Sequence, residues 1–219
     1  MAGSAVMTSL VGISADGRTG ELRRPVGAGG FVIFAHGSGS SRFSRRNIAV
    51  AEHLAGAGIG SLLFDLLTPQ EAEDRRKVFD IALLSGRVAE AIDWALAQPW
   101  SKEVGIGLFG ASTGAAAALV AATMRPEAIR AVVSRGGRPD LAGAHLADVR
   151  APTLLVVGGE DTEVLELNCA AARRLACPHR VVVVPGATHL FEEPGTLALA
   201  IGHAEAWFLN HLSKGRTSP

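Results

Sequence analysis

Short, continuous apolar runs alternate with longer amphipathic stretches along most of this 219-residue chain. Runs rich in Val, Ile and Leu, without polar alternation, are typical of parallel strands that are covered on both faces. Because strand and helix candidates alternate over residues 31–212, the pattern predicts an α/β fold, a mostly parallel sheet with helices on both faces. The predicted strands are 31–35, 59–64, 104–109, 129–134, 153–157 and 180–184, and the predicted helices are 44–57, 70–97, 112–124, 163–175 and 196–212.

The segment before the first buried run has a different pattern. Residues 6–13 and 20–24 flank a turn at Ala15, Asp16 and Gly17, which predicts an antiparallel hairpin at the edge of the sheet. No repeat, low-complexity linker or break in composition divides the chain, so we expect one domain over residues 1–219. The tail, residues 214–219, is expected to be frayed.

Composition excludes several classes of protein. Hydrophobic residues make up 48% of the chain and charged residues 19%, which argues against global disorder. The 21 basic residues balance 21 acidic ones, so no net charge favours nucleic acid or an anionic membrane as a partner. Arginine supplies 18 of those basic residues, a bias that a GC-rich genome would also produce.

The cysteines and the chain start indicate the compartment. Cys169 and Cys177 match no zinc or redox spacing and are expected to be free thiols. The first ten residues have no signal-peptide pattern, and no apolar stretch is long enough to span a bilayer. We therefore expect a cytoplasmic protein.

A G-x-S-x-G motif, residues 110–114, carries the strongest chemical signal. It follows a predicted strand and opens an alanine-rich predicted helix, the setting of a nucleophile elbow. Small neighbours allow the tight turn, and the hydroxyl of Ser112 would then lie near the positive end of the helix. The alternative is a glycine-rich turn with a capping serine. We interpret Ser112 as a nucleophile.

A serine nucleophile needs a base and an acid that orients the base. In folds with this elbow the chain order is Ser, Asp or Glu, His. Of seven histidines, only His189 lies in a loop just after a late predicted strand, at the sheet edge where ligands bind. We predict Asp161 as the acid, with its neighbour Glu160 as the fallback. Asp65, at the end of an earlier strand, could serve in principle.

Acyl transfer also needs hydrogen-bond donors for the developing oxyanion. The backbone N–H of Thr113, at the start of the predicted helix, is one candidate. The loop after the first predicted parallel strand, residues 36–41, is rich in glycine and serine, and we predict the Ser38 N–H as the second donor. The alternative is an ordinary turn. No lysine follows these glycines, so the loop is not a phosphate-binding P-loop.

Four segments together resemble the α/β-hydrolase fold, and more narrowly its dienelactone-hydrolase-like branch. They are AHGSGSS at 35–41, GASTG at 110–114, GGED at 158–161 and GATHLF at 186–191. The resemblance covers residues 31–212 and implies a compact hydrolase without a lid domain. Dienelactone hydrolases proper use cysteine as the nucleophile, whereas this chain has Ser112, which favours a serine esterase.

Two arginine-containing stretches, SRFSRRN at 41–47 and SRGGRPDL at 134–141, resemble a subgroup that is sometimes fused to phosphoribosyltransferase domains. Guanidinium groups suit carboxylates and phosphates, so Arg42 and Arg138 are candidates for binding an anionic ester. The competing interpretation is that the loop arginines pair with acidic side chains and brace the loops. The arginines in these stretches are Arg42, Arg45, Arg46, Arg135 and Arg138, and the candidate acidic partners are Asp140, Glu192 and Glu193.

The resulting hypothesis is a serine hydrolase of small carboxylic esters that works through an acyl-enzyme. We expect no metal or organic cofactor, a monomer or homodimer, and a small ester as the substrate, anionic if the loop arginines bind it. A thioesterase or an acyltransferase would use the same residues. The alternative from another class is a non-catalytic ligand-binding module of the same fold.

Overall fold

The computed structural model describes residues 5–213, which form one eight-stranded sheet covered by helices. The strands are β1 (Val6–Gly12), β2 (Thr19–Pro25), β3 (Gly30–Ala35), β4 (Ile59–Phe64), β5 (Gly105–Ala111), β6 (Ile129–Arg135), β7 (Thr153–Gly158) and β8 (His179–Val184). Their order in the sheet is β1-β2-β4-β3-β5-β6-β7-β8. Strands β3 to β8 are parallel, and β1 and β2 form the antiparallel edge hairpin that the sequence predicted.

Helices lie on both faces of the sheet, as expected. They are α1 (Arg45–Gly56), α2 (Pro69–Ala72), α3 (Arg75–Val78), α4 (Ile81–Leu96), α5 (Thr113–Met124), α6 (Thr162–Ala172) and α7 (Thr196–Leu212), with 3-10 helices at Pro99–Glu103 and Pro139–Asp148. One apolar core lies between the sheet and the face formed by α4 and α5, and a second lies beneath α1 and α7.

The prediction of one long helix over residues 70–97 is wrong, because the segment forms three helices. The breaks occur at two aspartates, whose side chains accept hydrogen bonds from backbone N–H groups and so begin new helices. Asp74 accepts from Arg76 N at 2.9 Å, and Asp80 accepts from Leu83 N at 2.9 Å. Only the last of the three helices, α4, buries a regular apolar face.

The parallel register brings the carboxyl ends of the central strands to one edge. Ala35 at the end of β3 pairs with Gly110 of β5, and Ala111 pairs with Arg135 of β6. At the other side of this edge, Gly158 of β7 pairs with Val184 of β8. The loops that follow β3, β5, β7 and β8 therefore meet above the same edge of the sheet.

Two further sequence expectations concern the ends of the chain and membranes. The tail at 214–219 lies outside the described residues. Among residues 5–213, no helix combines the length and the apolar character that a membrane-spanning segment requires.

Candidate active site

Ser112 occupies a sharp turn between β5 and α5. Its backbone has φ 51° and ψ −126°, a left-handed conformation that is uncommon for a residue with a side chain. Gly110 and Gly114, on either side of this turn, must be glycines because neighbouring backbone atoms leave no room for a Cβ. A Cβ at Gly110 would lie 2.4 Å from Ala115 Cα, and a Cβ at Gly114 would lie 2.2 Å from Ala35 O. The motif therefore forms the strand–turn–helix that the sequence predicted.

His189 and Asp161 meet on neighbouring loops of the same edge. His189 Nδ1 lies 2.7 Å from Asp161 Oδ2, and the side chains are 39% and 14% exposed. A carboxylate at this distance holds a proton on Nδ1, which leaves Nε2 free to accept one. Glu160 is exposed to solvent, so the structure brings Asp161 and not its neighbour to the histidine.

Backbone contacts fix the loops that carry these three side chains. Glu160 N donates to Ala187 O at 3.0 Å, which ties the Asp161 loop to the His189 loop. Arg138 N donates to Ser112 O at 3.0 Å, which holds the serine turn against the loop after β6. Gly136 lies directly beneath the histidine, since a Cβ there would be 3.0 Å from His189 O.

The hydroxyl of Ser112 makes no hydrogen bond within the described residues 5–213, so the link between Ser112 and His189 is open in this structure. Catalytic hydrogen bonds are commonly long in unliganded enzymes and tighten when substrate binds. The same sheet edge thus carries a serine and an imidazole, the two groups between which a proton would pass.

The predicted oxyanion donors lie beside each other but are not both free. Ser38 N donates to Thr113 Oγ1 at 2.9 Å, so the Thr113 side chain already occupies the second predicted donor. Thr113 is itself buried at the first turn of α5. A ligand can use the Ser38 N–H only after the Thr113 hydroxyl rotates away from it. The hydrogen bond between Ser38 and Thr113 joins residues distant in sequence and was not predicted.

His36 is a site residue that the sequence analysis did not assign. Its Nε2 accepts from Leu66 N at 3.1 Å, and its Nδ1 lies 3.0 Å from Gly37 O, so a neutral ring joins the ends of β3 and β4. Burial lowers the pKa of His36, although the Gly37 carbonyl and the Asp65 charge act in the opposite direction. The sequence signal that could have identified His36 as a site residue was its position at the end of a strand, directly before a glycine.

A cavity of about 380 Å³ opens beside these groups. Its lining combines polar residues, among them Ser38, Ser40 and Thr113, with apolar ones, among them Leu66 and Leu84. Cavities of this size lie near the lower end of those that hold small molecules. Elsewhere among residues 5–213, no group of three His, Cys, Asp or Glu side chains is suited to hold a metal ion.

Both arginines predicted to bind substrate are engaged with carboxylates. Arg42 forms an ion pair with Asp65 and donates its backbone N–H to the same carboxylate at 2.8 Å. Arg138 makes two hydrogen bonds to Asp140, at 2.9 and 2.8 Å. These contacts favour the interpretation in which the two side chains brace their loops.

Comparison with known proteins agrees with this geometry. The family model described as "Alpha/beta hydrolase domain" matches residues 28–199, which include the serine, aspartate and histidine loops. The chain belongs to the α/β-hydrolase family. Its membership confirms the fold expected from the four matching segments and makes a hydrolase-type enzyme the general class.

A solved structure places this α/β-hydrolase close to the dienelactone-hydrolase-like branch. A dienelactone hydrolase from Anabaena variabilis is 48% identical, with a TM-score of 0.90 over 96% of this chain and 99% of that one. The structure of Est1E from Butyrivibrio proteoclasticus with ferulic acid bound is 19% identical, with a TM-score of 0.76 over 94% of this chain and 98% of that one. The latter likeness shows the fold alone.

A curated relative carries a different kind of name. A Mycobacterium tuberculosis protein with the provisional name of a phosphoribosyl transferase is 56% identical over 193 residues. The match covers 88% of this α/β-hydrolase chain but 44% of that protein, so the chain spans less than half of its relative. The part of the relative that matches corresponds to the α/β-hydrolase unit of this chain.

Proposed function

We propose that this α/β-hydrolase cleaves small carboxylic esters through Ser112, His189 and Asp161. The observation that carries the proposal is the 2.7 Å contact between His189 Nδ1 and Asp161 Oδ2, on the sheet edge that also presents Ser112 in a left-handed turn. These are the elements of a serine triad, a nucleophile with a base that is oriented by an acid.

In the proposed reaction, His189 Nε2 takes the proton of the Ser112 hydroxyl as Oγ bonds to the ester carbonyl carbon. The carbonyl oxygen becomes an oxyanion, which accepts a hydrogen bond from Thr113 N–H and, after the Thr113 hydroxyl rotates, from Ser38 N–H. His189 then returns the proton to the alkoxide as the carbon–oxygen bond breaks, leaving an acyl-serine. Water attacks this acyl group with the same histidine as base and releases the acid.

The cavity beside Ser38 and Thr113 supports a small substrate. Its volume of about 380 Å³ and its apolar lining residues suit a small substrate with an apolar part. The 48% identical relative is named for hydrolysis of a lactone, which is an internal ester. The relative therefore favours an ester as the substrate class, and the cavity favours a small one.

The test compares wild type with Ser112→Ala on 4-nitrophenyl acetate and butyrate. We expect wild type to turn over both esters and the variant to lose about 10⁴-fold or more in kcat. A fluorophosphonate probe should label wild type at Ser112. Equal, background rates in both proteins, with no labelling, would reject the proposed nucleophile and leave a ligand-binding module as the explanation of the site.

A further inference from the structure

Arg135, the last residue of β6, is a buried guanidinium without a counter-ion. The residue is 8% exposed. Among residues 5–213, its Nε and Nη1 have no hydrogen-bond partner, and Nη2 has one weak contact, 3.4 Å from Asn47 Oδ1. A buried ionised group normally requires pairing because removal from water is costly.

The neighbouring arginines do not share this condition. Arg42 is paired with Asp65, Arg138 with Asp140, and Arg46 with Glu192 at 3.2 Å. Burial, together with the charge of Arg46, lowers the pKa of Arg135 to about 10, so the guanidinium is still charged at neutral pH. The site therefore contains a positive charge that the described part of the chain does not neutralise.

The surroundings of Arg135 suit an oxyanion. Asn47 lies in the first turn of the twelve-residue helix α1, so the positive end of that helix faces the same region. The centre of the Phe191 ring lies 5.8 Å from the Arg135 guanidinium carbon. Because Nε and Nη1 are unused and Asn47 contacts Nη2 alone, the guanidinium edge that Asn47 leaves free, Nε with Nη2 or Nη1 with Nη2, can form the two parallel hydrogen bonds with which arginine binds a carboxylate or a phosphate.

Arg135 is also next to the proposed catalytic residues. Its backbone pairs with Ala111, which precedes Ser112, and the following residue, Gly136, lies against His189. The side chain shares the α1 and α7 face of the sheet with Val133, which lies two residues earlier in the strand. A group bound to Arg135 would thus lie beneath the turn that carries the histidine.

The ion pair between Arg46 and Glu192 belongs to the same region, since the charge of Arg46 contributes to the lowered pKa of Arg135. The Glu192 side chain is 64% exposed, and that of Arg46 is 30% exposed. Ion pairs with this exposure contribute little stability, so an incoming anion can replace the Glu192 carboxylate. We propose that Arg135 and Arg46 bind the carboxylate or phosphate group of an anionic ester, which rests on the proposed esterase function and specifies its substrate class.

The first experiment measures anion binding without catalysis. Thermal unfolding of Ser112→Ala is followed in sodium glutarate and, separately, in sodium phosphate, each against sodium chloride at equal ionic strength. We expect a saturable rise in Tm, about 5–10 °C at a hundredfold excess over Kd. The larger response of the two anions identifies carboxylate or phosphate as the preferred group.

Variants connect this response to Arg135. Adding Arg135→Met to Ser112→Ala should abolish the saturable rise, whereas adding Arg125→Gln, which breaks an exposed pair with Asp93, should preserve it. Glu192→Gln should lower the anion concentration at half-saturation. A response that persists without Arg135, or no saturable response in the parent to either anion, overturns the proposal. If the Met variant does not fold, Arg135→Lys and Glu192→Gln supply the same comparison.

Kinetics then separate this inference from the esterase proposal. The ratio of kcat/KM for mono-4-nitrophenyl glutarate to that for 4-nitrophenyl valerate should fall about 10–100-fold in Arg135→Met, the loss expected for a charged hydrogen bond. An unchanged ratio rejects the anion site even if both esters are hydrolysed. Conversely, anion binding by Ser112→Ala without any ester turnover in wild type rejects the esterase function and keeps the anion site.

Discussion

Gly114→Ala tests whether the close approach of α5 to β3 holds the serine turn in place. A methyl group at position 114 would lie 2.2 Å from Ala35 O and 2.4 Å from His36 O. Both contacts are with backbone, which cannot rotate away as a side chain can. To restore an ordinary contact, the first turn of α5 and the end of β3 must separate by about 1 Å.

The expected change in the stability of Gly114→Ala follows from two opposing effects. Alanine is favoured over glycine within a helix by about 1 kcal/mol, whereas overpacking a tight contact costs about 1–3 kcal/mol or more. Because the contact is backbone against backbone, we expect net destabilisation of about 1–2 kcal/mol, or roughly 2–8 °C in Tm. The same displacement would move Ser38 away from Thr113, and a misplacement of about 1 Å in a catalytic site can cost about 10²-fold in rate.

Chemical denaturation and hydrolysis of 4-nitrophenyl butyrate measure both effects. The matched control is Gly202→Ala in α7, where an added Cβ meets nothing within 4 Å. That variant should be slightly more stable than wild type and equally active. The reasoning is refuted if Gly114→Ala behaves like Gly202→Ala, since the close approach would then place no constraint on the turn.

Three further predictions concern the proposed site. Asp161→Asn should lower kcat on 4-nitrophenyl butyrate by about 10⁴-fold, whereas Glu160→Gln should not, and equal losses would contradict the assignment of the acid. Thr113→Val should lower the free energy of unfolding, measured in urea, by about 1–3 kcal/mol because the Ser38 N–H loses its acceptor. Thr113→Ser, which keeps the hydroxyl, is the control. Equal stability of wild type and both variants would exclude a stabilising role for this hydrogen bond. Since burial lowers the pKa of His36, the unfolded chain binds its proton first as pH falls below 6.5, so stability should decline there in urea titrations. An identical pH slope in His36→Gln would count against that origin.

The central strands were predictable because both of their faces are buried. Residues of β3 and β7 are buried throughout, and such strands appear in the sequence as unbroken apolar runs. The segment after β4 was not predictable in the same way. Asp74 and Asp80 have the sequence signature of exposed helical acids, and only their hydrogen bonds to the following turns identify them as helix starts.

The site shows the same division between local and distant information. Ser112, Asp161 and His189 each follow a recognisable strand, so the fold itself predicts their common edge. The contact between Ser38 and Thr113 joins residues 75 positions apart and depends on a hydroxyl orientation that no local pattern encodes. The burial of Arg135 could have been predicted from the alternation of side chains along a strand. Its side chain points to the same face as those of Ala131 and Val133, which lie in the core.

Three departures from local rules lie together at the sheet edge that carries the proposed site. Ser112 has φ 51° and Phe191 has φ 55°, and these are the non-glycine residues with positive φ in the described chain, residues 5–213. Phe191 closes the turn after His189 by donating to Thr188 O, and its buried ring holds that strained turn in place. Arg135, the unpaired buried cation, lies against the same ring. Strain and uncompensated charge each lower stability, and the rest of the fold must offset both. Their convergence on one sheet edge supports the proposal that the binding and catalytic groups lie there.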